Sequence, residues 1–466
     1  ETIDEADTVI FDTCSVRQKS EDKVTGKLKE IPKSKKVRIT GCMIQHHLRN
    51  QKLQNELHDK KVAKLMEKGN FLGTVTTKTP EILGRSTDEL NENLSTHDPE
   101  STVFVNHAFN PMFHKLHQKR PNLELFFRID DTGFLPLMLQ KLGYPARIDQ
   151  DLTNEYMGII PTGTNQLLSD RAKTAHVPIS KGCSQFCAFC IVPYARGVEK
   201  HLPKEQIFTE VRHHLANGAE EIILLGQIVN KHPDFDEIVR EILKMPGLRR
   251  LRYTSPYPTF YSDELLAMHA HEPKLCPHIH MPLQSGSDKI LKKMFRGYTA
   301  AQFREFVDKI RALPRPISIT SDVIVGFTDE TDADFQETLA LTEYAQFDMI
   351  YIGKYSVRSG TYAHRFYEDT VDAAQKQSRR SELNELLREI STKNNLADHG
   401  RQTEILLTKI ESDRASGYAD NFKNVILKKE NFSPTQRESL STGEFLTAEI
   451  TGSQAFSLHA TPIFSN

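Results

Sequence analysis

The sequence predicts an α/β protein built around an open, parallel (β/α)6 barrel. From His176 onward, short apolar strands alternate with amphipathic helices in six successive units, a pattern typical of parallel sheets. Six units, rather than the eight of a closed parallel barrel, indicate a sheet that stays open. A strand–helix–strand unit precedes this region and short strands follow it. We therefore also expect an N-terminal α/β domain and a small C-terminal β-barrel.

Composition restricts the class of protein. A length of 466 residues suffices for two to four domains, and 26% charged residues is typical of globular proteins in water. The net charge of -2 does not by itself indicate nucleic-acid binding, although basic residues are concentrated in 17–38 and 376–401. No apolar run is long enough for a membrane span, and the acidic first ten residues do not match a signal peptide. With only six cysteines, we expect a protein of the reducing cytoplasm.

Two cysteines lie at the ends of the predicted N-terminal strands. Residues 7–13 and 36–42 are predicted strands that flank a helix over residues 16–30. Cys14 directly follows the first strand, and Cys42 ends the second. Ligands gather at the carboxyl ends of parallel strands, so we expect both cysteines to face one site. Two unrelated core cysteines are the alternative.

Residues 51–175 carry no chemical motif. Helices are predicted over residues 51–68 and 134–142, a strand over 123–129, and a polar loop over 91–101. We interpret the region as the remainder of the N-terminal domain together with an insertion or linker.

The later elements follow from apolar periodicity. The predicted barrel strands are residues 177–180, 221–225, 249–254, 279–282, 318–325 and 349–355. The predicted helices include residues 204–217, 235–243, 287–294, 300–311 and 331–344, and then a long basic helix over 373–398. The predicted C-terminal strands are residues 402–409, 424–427, 444–450 and 457–460. Small β-barrels of this kind often bind nucleic acid, although many do not.

Cys183, Cys187 and Cys190 form the strongest motif of the chain, a C-x3-C-x2-C loop directly after the first barrel strand. Thiolates are the preferred ligands of iron–sulfur clusters, and three cysteines leave one iron of a 4Fe–4S cluster free for chemistry. Active sites of parallel barrels are built from the loops at this face. The alternatives are a zinc site completed by His176 or His201, or a disulfide framework. Neither matches the usual spacing or cysteine content.

This loop, together with the strand ends that follow it, resembles the radical S-adenosylmethionine (SAM) superfamily, whose core is a partial TIM barrel, and within it the methylthiotransferase family. The segments that carry the resemblance are DTCSVR (12–17), TGCM (40–43), LLGQIVN (224–230), LRYTSP (251–256), CPHIHMPLQSGS (276–287), DVIVGFTDE (322–330) and YSVRSGT (355–361). VPY (192–194) and the Gly226–Asn230 segment are similar to the tRNA-modifying, MiaB-type branch of the family.

The resemblance covers residues 1–50 and 176–466, and it implies four regions. Residues 1–50 would form an N-terminal methylthiotransferase domain without its first strand, and residues 51–175 its remainder with an insertion. Residues 176–400 would form the radical SAM barrel. Residues 401–466 lie where the family carries an RNA-binding TRAM domain.

The resemblance also implies the cofactor site. Cys183, Cys187 and Cys190 would hold a 4Fe–4S cluster whose open iron binds SAM, and an electron from the cluster would cleave SAM to give a 5′-deoxyadenosyl radical. The residues implied to bind SAM are Phe189, Gly226, Gln227, Gln284, Ser285, Ile324, Gly326 and Arg358. Ordinary packing is the alternative for these positions. Arg196 is a further candidate contact to the SAM carboxylate or to phosphate.

The implied activity is methylthiolation of tRNA at carbon 2 of N(6)-isopentenyladenosine next to the anticodon. A second SAM would supply the methyl group, and a second 4Fe–4S cluster would supply the sulfur. The implied partners are the tRNA anticodon stem-loop, which can present a splayed-out base, and an electron donor such as flavodoxin or ferredoxin. We expect a cytoplasmic monomer. The alternatives are a methylthiotransferase for threonylcarbamoyl-adenosine tRNA or a ribosomal protein, and a decayed RNA-binding relative without sulfur insertion.

Three departures from the family pattern accompany the resemblance. The family's second cluster uses three cysteines, whereas residues 1–175 contain only Cys14 and Cys42. Because the chain begins with Glu1 rather than Met, we expect either an incomplete start or an incomplete cluster. Ile228 and Thr328 replace the family's usual asparagine and proline. Cys276, in a barrel-strand motif, is interpreted as a small core residue.

Overall fold

The computed structural model describes residues 8–13, 27–28, 30–32, 34–41, 123–126 and 173–464. Its internal contacts divide the chain into two units. The first consists of Glu1–Thr162, Gly182–Glu199 and Val357–Phe366. The second consists of Gly163–Lys181, Lys200–Ser356 and Tyr367–Asn466.

A parallel three-stranded sheet belongs to the first unit. Its strands β1 (Thr8–Thr13), β2 (Lys36–Gly41) and β3 (Leu123–Phe126) pair in that order. The strands predicted over 7–13 and 36–42 are confirmed, and the side chains of Val37 and Ile39 are buried. Residues 27 and 28 are helical and residue 30 lies in a turn, while the rest of the helix predicted over 16–30 lies outside the described residues. So do the elements predicted over 51–68, 91–101 and 134–142.

Six parallel strands in chain order form the centre of the second unit, as the predicted fold class requires. The unit begins with β4 (Thr174–Pro178) and a short antiparallel pair, β5 (Ser180–Lys181) with β6 (Lys200–His201). Strand β4 pairs with β7 (Glu221–Leu225), which pairs with β8 (Arg250–Tyr253). Strand β9 (His278–His280) pairs with β10 (Ser318–Val325), which pairs with β11 (Met349–Lys354). A bridge between Leu251 and Leu275 joins the two halves. Among the described strands, no pairing closes β11 onto β4.

Helices follow most of these strands. In chain order they are α1 (Val192–Arg196), α2 (Lys204–Ala216), α3 (Phe235–Leu243), α4 (Asp263–His271), α5 (Asp288–Lys293), α6 (Ala300–Arg311), α7 (Asp332–Ala345), α8 (Tyr362–Phe366), α9 (Ala373–Leu396) and α10 (Pro434–Ser439). Apolar side chains of β7 and β8, such as Ile222, Leu224 and Leu251, pack in one core with those of α2 and α3. No helix in the described part of the chain is both long and apolar enough to cross a bilayer.

The C-terminal strands close into a five-stranded barrel, which confirms the predicted small β-barrel. The strands are β12 (Gln402–Ile410), β13 (Arg414–Tyr418), β14 (Asn424–Lys428), β15 (Phe445–Gln454) and β16 (Ser457–Pro462), and they pair in the order β12-β13-β14-β16-β15. Closure pairs both edges of every strand. The interior is filled by buried side chains such as Ile405, Val425 and Ile450.

Two buried arginines of β8 dock this barrel onto the central sheet. Arg252 donates hydrogen bonds to the backbone carbonyls of Asp420 (2.8 Å) and Ala419 (2.9 Å). Arg250 donates to the carbonyl of Tyr418 at 3.3 Å. The charge of Arg252 is matched by Glu221, whose carboxylate lies 3.2 Å from its Nε. The turn after β13 is therefore held against the sheet by charged groups removed from water.

Candidate functional site

The cysteine loop, residues 182–199, is closed near its two ends by one backbone–backbone and one backbone–side-chain hydrogen bond. The amide of Cys183 donates to the carbonyl of Gly197 at 3.0 Å, and the amide of Glu199 donates to the Ser184 hydroxyl at 3.1 Å. Gly182 has a φ of +69°, and a Cβ there would lie 2.2 Å from the carbonyl oxygen of Val198. Only glycine satisfies both requirements, so this residue lets the two ends of the loop approach each other.

The three thiols of this loop have the surroundings expected of cluster ligands. Cys183 and Cys187 are buried, Cys190 is half-buried, and none is in a disulfide. The amide of Gln185 points at the sulfur of Cys183 at 3.5 Å, and hydrogen bonds of this type tune cluster thiolates. The amide of Cys190 donates to the carbonyl of Cys187 at 2.9 Å. The donor set and its burial therefore fit a 4Fe–4S cluster.

The zinc and disulfide alternatives gain no support. Within the described ranges, no three His, Cys, Asp or Glu side chains converge closely enough to hold a single metal ion. The ligands of a 4Fe–4S cube sit on different irons and so lie farther apart than the ligands of one ion. None of the four described cysteines forms a disulfide.

Aromatic residues pack inside the same loop. The rings of Phe186 and Tyr194 meet edge-to-face at 6.0 Å, and Ile191 is buried with them. Burial raises the pKa of Tyr194 to about 12. Phe189, predicted to lie beside the SAM adenine, is half-buried, and Arg196 is exposed at the end of α1. The predicted ligand contacts of both stay predictions.

A distant segment, Val357–Phe366, belongs to the same unit as the cysteine loop. The backbone amide of Ala363 donates to the carbonyl of Ala188 at 2.8 Å. The guanidinium of Arg365 lies over the ring of Tyr194, 5.8 Å from its centroid. Arg358, a predicted SAM contact, is buried in this segment. The structure thus places Arg358 in one unit with the three cysteines.

The segment after β7 contains Gly226 and Gln227, and its glycine has a packing requirement of its own. A Cβ on Gly226 would lie 2.8 Å from the Ser180 hydroxyl. Ile228, which stands in place of the family's asparagine, is buried, so its side chain contributes to core packing. Gly226 and Gln227 are half-buried, and their contact with SAM stays a prediction.

Gln284 and Ile324 are brought together at the ends of β9 and β10. The amide of Gln284 donates to the carbonyl of Asp322 at 2.8 Å, and the amide of Ile324 donates to the carbonyl of Gln284 at 2.9 Å. Gln284 has a φ of +71°. This backbone region is uncommon for residues other than glycine, and its strain is often found at binding sites.

Ser285 and Gly326 both have partners within the protein that account for their positions without a ligand. The Ser285 hydroxyl is fully buried, 3.4 Å from that of Thr338. Gly326 has a φ of +71°, and a Cβ there would lie 2.2 Å from the side chain of Lys376. Its amide donates to Glu330 at 2.6 Å. Packing accounts for both residues, so their SAM contacts are also still predictions.

Cys14 and Cys42 lie outside the described residues. The strands that precede them are described and are direct neighbours. β1 and β2 pair in parallel, with Thr13 opposite Gly41 at their carboxyl ends.

A polar group on β9 and β10 was not predicted. Nε2 of His280 lies 3.1 Å from a carboxylate oxygen of Asp322, and its Nδ1 lies 2.9 Å from the Thr320 hydroxyl. His278 shares that hydroxyl at 2.9 Å. The alternation H-I-H in the sequence places both histidines on one face of the sheet, and this signal could have been used. Cys276, by contrast, is buried as interpreted, and burial raises its pKa to about 11.

Comparisons with known proteins find family models that match two parts of the chain. A family model described as the radical SAM superfamily matches residues 177–342. A second model, described as the uncharacterized protein family UPF0004, matches residues 1–63.

Several curated relatives share one name, tRNA-2-methylthio-N(6)-dimethylallyladenosine synthase. The protein of that name from Dictyoglomus thermophilum is 31% identical, over 98% of this chain and 90% of the relative. The one from Carboxydothermus hydrogenoformans is 31% identical, over 90% of this chain and 84% of the relative. Among solved structures, the radical S-adenosylmethionine methyltransferase TsrM from Kitasatospora setae has a TM-score of 0.43 at 14% identity, covering 74% of this chain and 63% of that one.

Proposed function

The chain belongs to the radical SAM family of tRNA-2-methylthio-N(6)-dimethylallyladenosine synthases, and from this we propose that it methylthiolates carbon 2 of N(6)-isopentenyladenosine next to the anticodon of tRNA. The observation that carries the proposal is the closed loop that contains Cys183, Cys187 and Cys190, none in a disulfide, the first two buried and the third half-buried. Such a site suits the activation of a C–H bond that ordinary acids and bases cannot reach.

We propose that these three cysteines hold a 4Fe–4S cluster with one iron open to SAM. When bound, the cluster and SAM supply the radical chemistry that removes the adenine hydrogen. The chain's own part is to orient these groups and to exclude water. The Gln185 amide at the Cys183 sulfur and the burial of Cys183 and Cys187 support that role.

For SAM itself, we propose contacts from three strand ends. Gly226 and Gln227 follow β7, Gln284 and Ser285 follow β9, and Ile324 and Gly326 lie at the end of β10. Phe189 and Arg358 are two further proposed contacts, an aromatic face and a cation. The carboxyl ends of parallel strands are where such sheets bind their ligands.

A second 4Fe–4S cluster, held in part by Cys14 and Cys42, would supply the sulfur. The support is the pairing of the two strands that precede these cysteines. Thiolates that follow neighbouring strand ends suit a shared cluster.

The C-terminal barrel is the proposed tRNA contact. One cavity on it, of about 610 Å³, is lined by the cationic side chains Arg414, Lys428, Lys429 and Arg437 together with His459. Asp413 and Glu430 also line it, so cations exceed anions there. Contacts of this kind hold a nucleic-acid backbone without reading its sequence. A tRNA substrate would place the protein in the cytoplasm, and an electron donor such as flavodoxin or ferredoxin would reduce the cluster.

The test is anaerobic turnover on a synthetic anticodon stem-loop that carries N(6)-isopentenyladenosine, with SAM and a chemical reductant. Mass spectrometry of the digested RNA should find the 2-methylthio nucleoside. The triple variant Cys183/Cys187/Cys190→Ala should form none. Product only on an RNA with threonylcarbamoyl-adenosine, or only on a ribosomal protein, would overturn the substrate assignment.

Iron and sulfide quantitation on the same samples separates one cluster from two. About eight irons in the wild type and about four in the triple variant would support both clusters, as two four-iron sites require. About four falling to none would leave only the SAM cluster, and the chain would then lack its sulfur source. A wild type without iron would overturn the proposed function.

A further inference from the structure

The cysteine loop is held by a segment far from it in the sequence. Ala188 lies between Cys187 and Cys190 and is fully buried. Its carbonyl accepts the 2.8 Å hydrogen bond from the amide of Ala363, which is also fully buried. A backbone hydrogen bond between two buried groups is costly to lose, because no water can replace either partner. The stretch between the second and third cysteines is therefore pinned from outside the loop.

Arg365 makes the second contact of this segment. Its guanidinium lies over the Tyr194 ring at 5.8 Å and is half-buried. Tyr194 packs edge-to-face on Phe186, inside the loop that carries the three cysteines. The Arg365 cation therefore lies against an aromatic side chain of the cysteine loop itself.

The geometry of the segment depends on Thr361, at the start of α8. The buried Thr361 hydroxyl donates to the carbonyl of Arg358 at 2.8 Å and accepts from the amide of His364 at 3.2 Å. The rings of Tyr362 and Phe366 pack at 4.6 Å on the same helix. These contacts fix the turn that presents Ala363 and Arg365 to the loop.

We propose that Val357–Phe366 is a clamp on the cysteine loop, in which Ala363 fixes the loop backbone and Arg365 is a positioning residue whose charge favours the reduced cluster. Reduction adds one negative charge, and a cation in a partly desolvated site attracts that charge more strongly than it would through bulk water. Net charge and solvent exposure are among the factors that set cluster potentials. The inference rests on the proposed cluster at Cys183, Cys187 and Cys190.

The charge is tested by redox titration of the reconstituted full chain with dithionite, followed by electron paramagnetic resonance. The signal missing from the triple cysteine variant identifies the cluster concerned. In Arg365→Gln, the ratio of reduced to oxidised cluster at a fixed potential should fall about tenfold, the effect of one charge on the order of 10 Å away at an effective dielectric constant near 20. For a one-electron couple this is a midpoint shift of about 59 mV.

Two variants serve as controls. Arg365→Lys keeps the charge and should stay within about twofold of the wild type by the same Coulomb argument. Arg388→Gln removes an equal charge from an exposed position of α9, where solvent screens it, and should leave the ratio unchanged. If Arg365→Gln gives the same ratio of reduced to oxidised cluster as Arg388→Gln, the proposed role of the Arg365 charge is wrong. Loss of the cluster from both Arg365 variants would assign Arg365 to packing and would equally overturn that role.

The backbone contact is tested by Ala363→Pro, which removes the donating N–H. Iron should leave this variant at least several-fold faster than the wild type in the presence of a chelator. Ala373→Pro is the matched control, because Ala373 is the exposed first residue of α9, where proline is tolerated. Equal rates of iron loss in wild type and Ala363→Pro would overturn the clamp. Because both tests begin from wild type with iron bound, failure of the proposed function would be seen first and separately.

Discussion

At the scale of single residues, Asn230 has a structural task within a segment that resembles a family motif. Its Nδ2 donates to the carbonyl of Tyr257 at 3.0 Å, and its Oδ1 accepts from the amide of the same residue at 2.8 Å. Asn230 is buried, so no water replaces these bonds. The side chain joins the end of β7 to the loop after β8.

Replacing Asn230 by alanine should therefore lower stability. The change leaves a buried amide and a buried carbonyl of Tyr257 without partners, which costs about 1–3 kcal/mol. Urea unfolding measures the difference. Asn217→Ala is the control, because Asn217 is exposed at the end of α2 and bonds only to that helix, so its effect should stay within about 0.5 kcal/mol. An unchanged unfolding midpoint in Asn230→Ala together with lost SAM binding would instead make Asn230 a ligand contact.

At the scale of elements, the start of α7 depends on one carboxylate. Asp334 and Thr331 cap the helix reciprocally: each side chain accepts a hydrogen bond from the other's backbone amide, at 2.9 and 3.2 Å. Burial alone would raise the pKa of Asp334, but hydrogen bonds, led by those from Lys289 and Thr331, outweigh it and hold the pKa well below its usual range. The ionised form is therefore the one that the folded state favours.

Because the pKa of Asp334 is lowered in the folded state, the sign of the pH dependence of stability can be stated. A lowered carboxyl pKa adds stability above the ordinary aspartate pKa, about 3.9, and loses it as the pH falls through the folded value. Asp334→Asn should be less stable than the wild type by about 1–3 kcal/mol at pH 7, and the gap should narrow below about pH 4. Thermal unfolding from pH 7 to pH 3 measures it. Glu337→Gln, an exposed carboxyl on the same helix, should show no such trend. A gap that stays constant down to pH 3 would contradict the mechanism.

Elements with strong local patterns were predicted well from the sequence. Strands β7 and β10 and helices α3 and α6 have the predicted bounds, because apolar periodicity and turn residues agree there. Strand β13, sequence RASGY, was missed because small and polar residues have low strand propensity, and pairing with β12 and β14 decides its structure. Helix α4 was also missed, although Ser262 supplies a usable cap signal by accepting from the amide of Leu265 at 2.9 Å.

Sequence patterns predict only those parts of the candidate site whose residues lie close together along the chain. The three cysteines lie within one short loop, so their spacing alone makes them candidate cluster ligands. The contact of Ala363 with Ala188 joins positions 175 residues apart, and no local pattern encodes such a pairing. The same holds for Arg252, because sequence periodicity shows which face of β8 it occupies but not that the turn after β13 would meet it.

At the scale of the second unit, the docking of the C-terminal barrel depends on Arg252. Its three hydrogen-bonding nitrogens reach Glu221 and the carbonyls of Ala419 and Asp420. Removing Arg252 leaves the buried Glu221 carboxylate with Arg250, 3.9 Å away, as its remaining ion-pair partner, and loss of one partner of a buried ion pair costs up to about 3–5 kcal/mol. Arg252→Ala should therefore loosen the barrel from the sheet.

Calorimetry and limited proteolysis measure this uncoupling. The wild-type second unit should unfold with its C-terminal barrel, whereas Arg252→Ala should show a separate, earlier transition and faster cleavage near residue 400. Arg240→Ala removes an exposed arginine of α3 whose ion pairs are with Glu241 and Glu264 and not with the barrel, and it should leave the transition intact, since exposed ion pairs contribute about 0–1 kcal/mol. Identical melting curves for the wild type and Arg252→Ala would show that other contacts are enough to hold the C-terminal barrel against the sheet.

The cysteine loop is synthesised well before its clamp, because the two segments lie far apart along the chain. Ala188 leaves the ribosome 175 residues before Ala363, which at 5–20 residues per second is about 9–35 s. Throughout that interval the loop has its three thiols but not the backbone bond that pins the stretch between two of them. A nascent chain therefore presents these thiols unsecured to oxygen and to stray metals. If the loop holds the proposed cluster and Val357–Phe366 clamps it, secure cluster loading is expected only after residue 363 has been synthesised, so its timing depends on where the clamp lies in the gene.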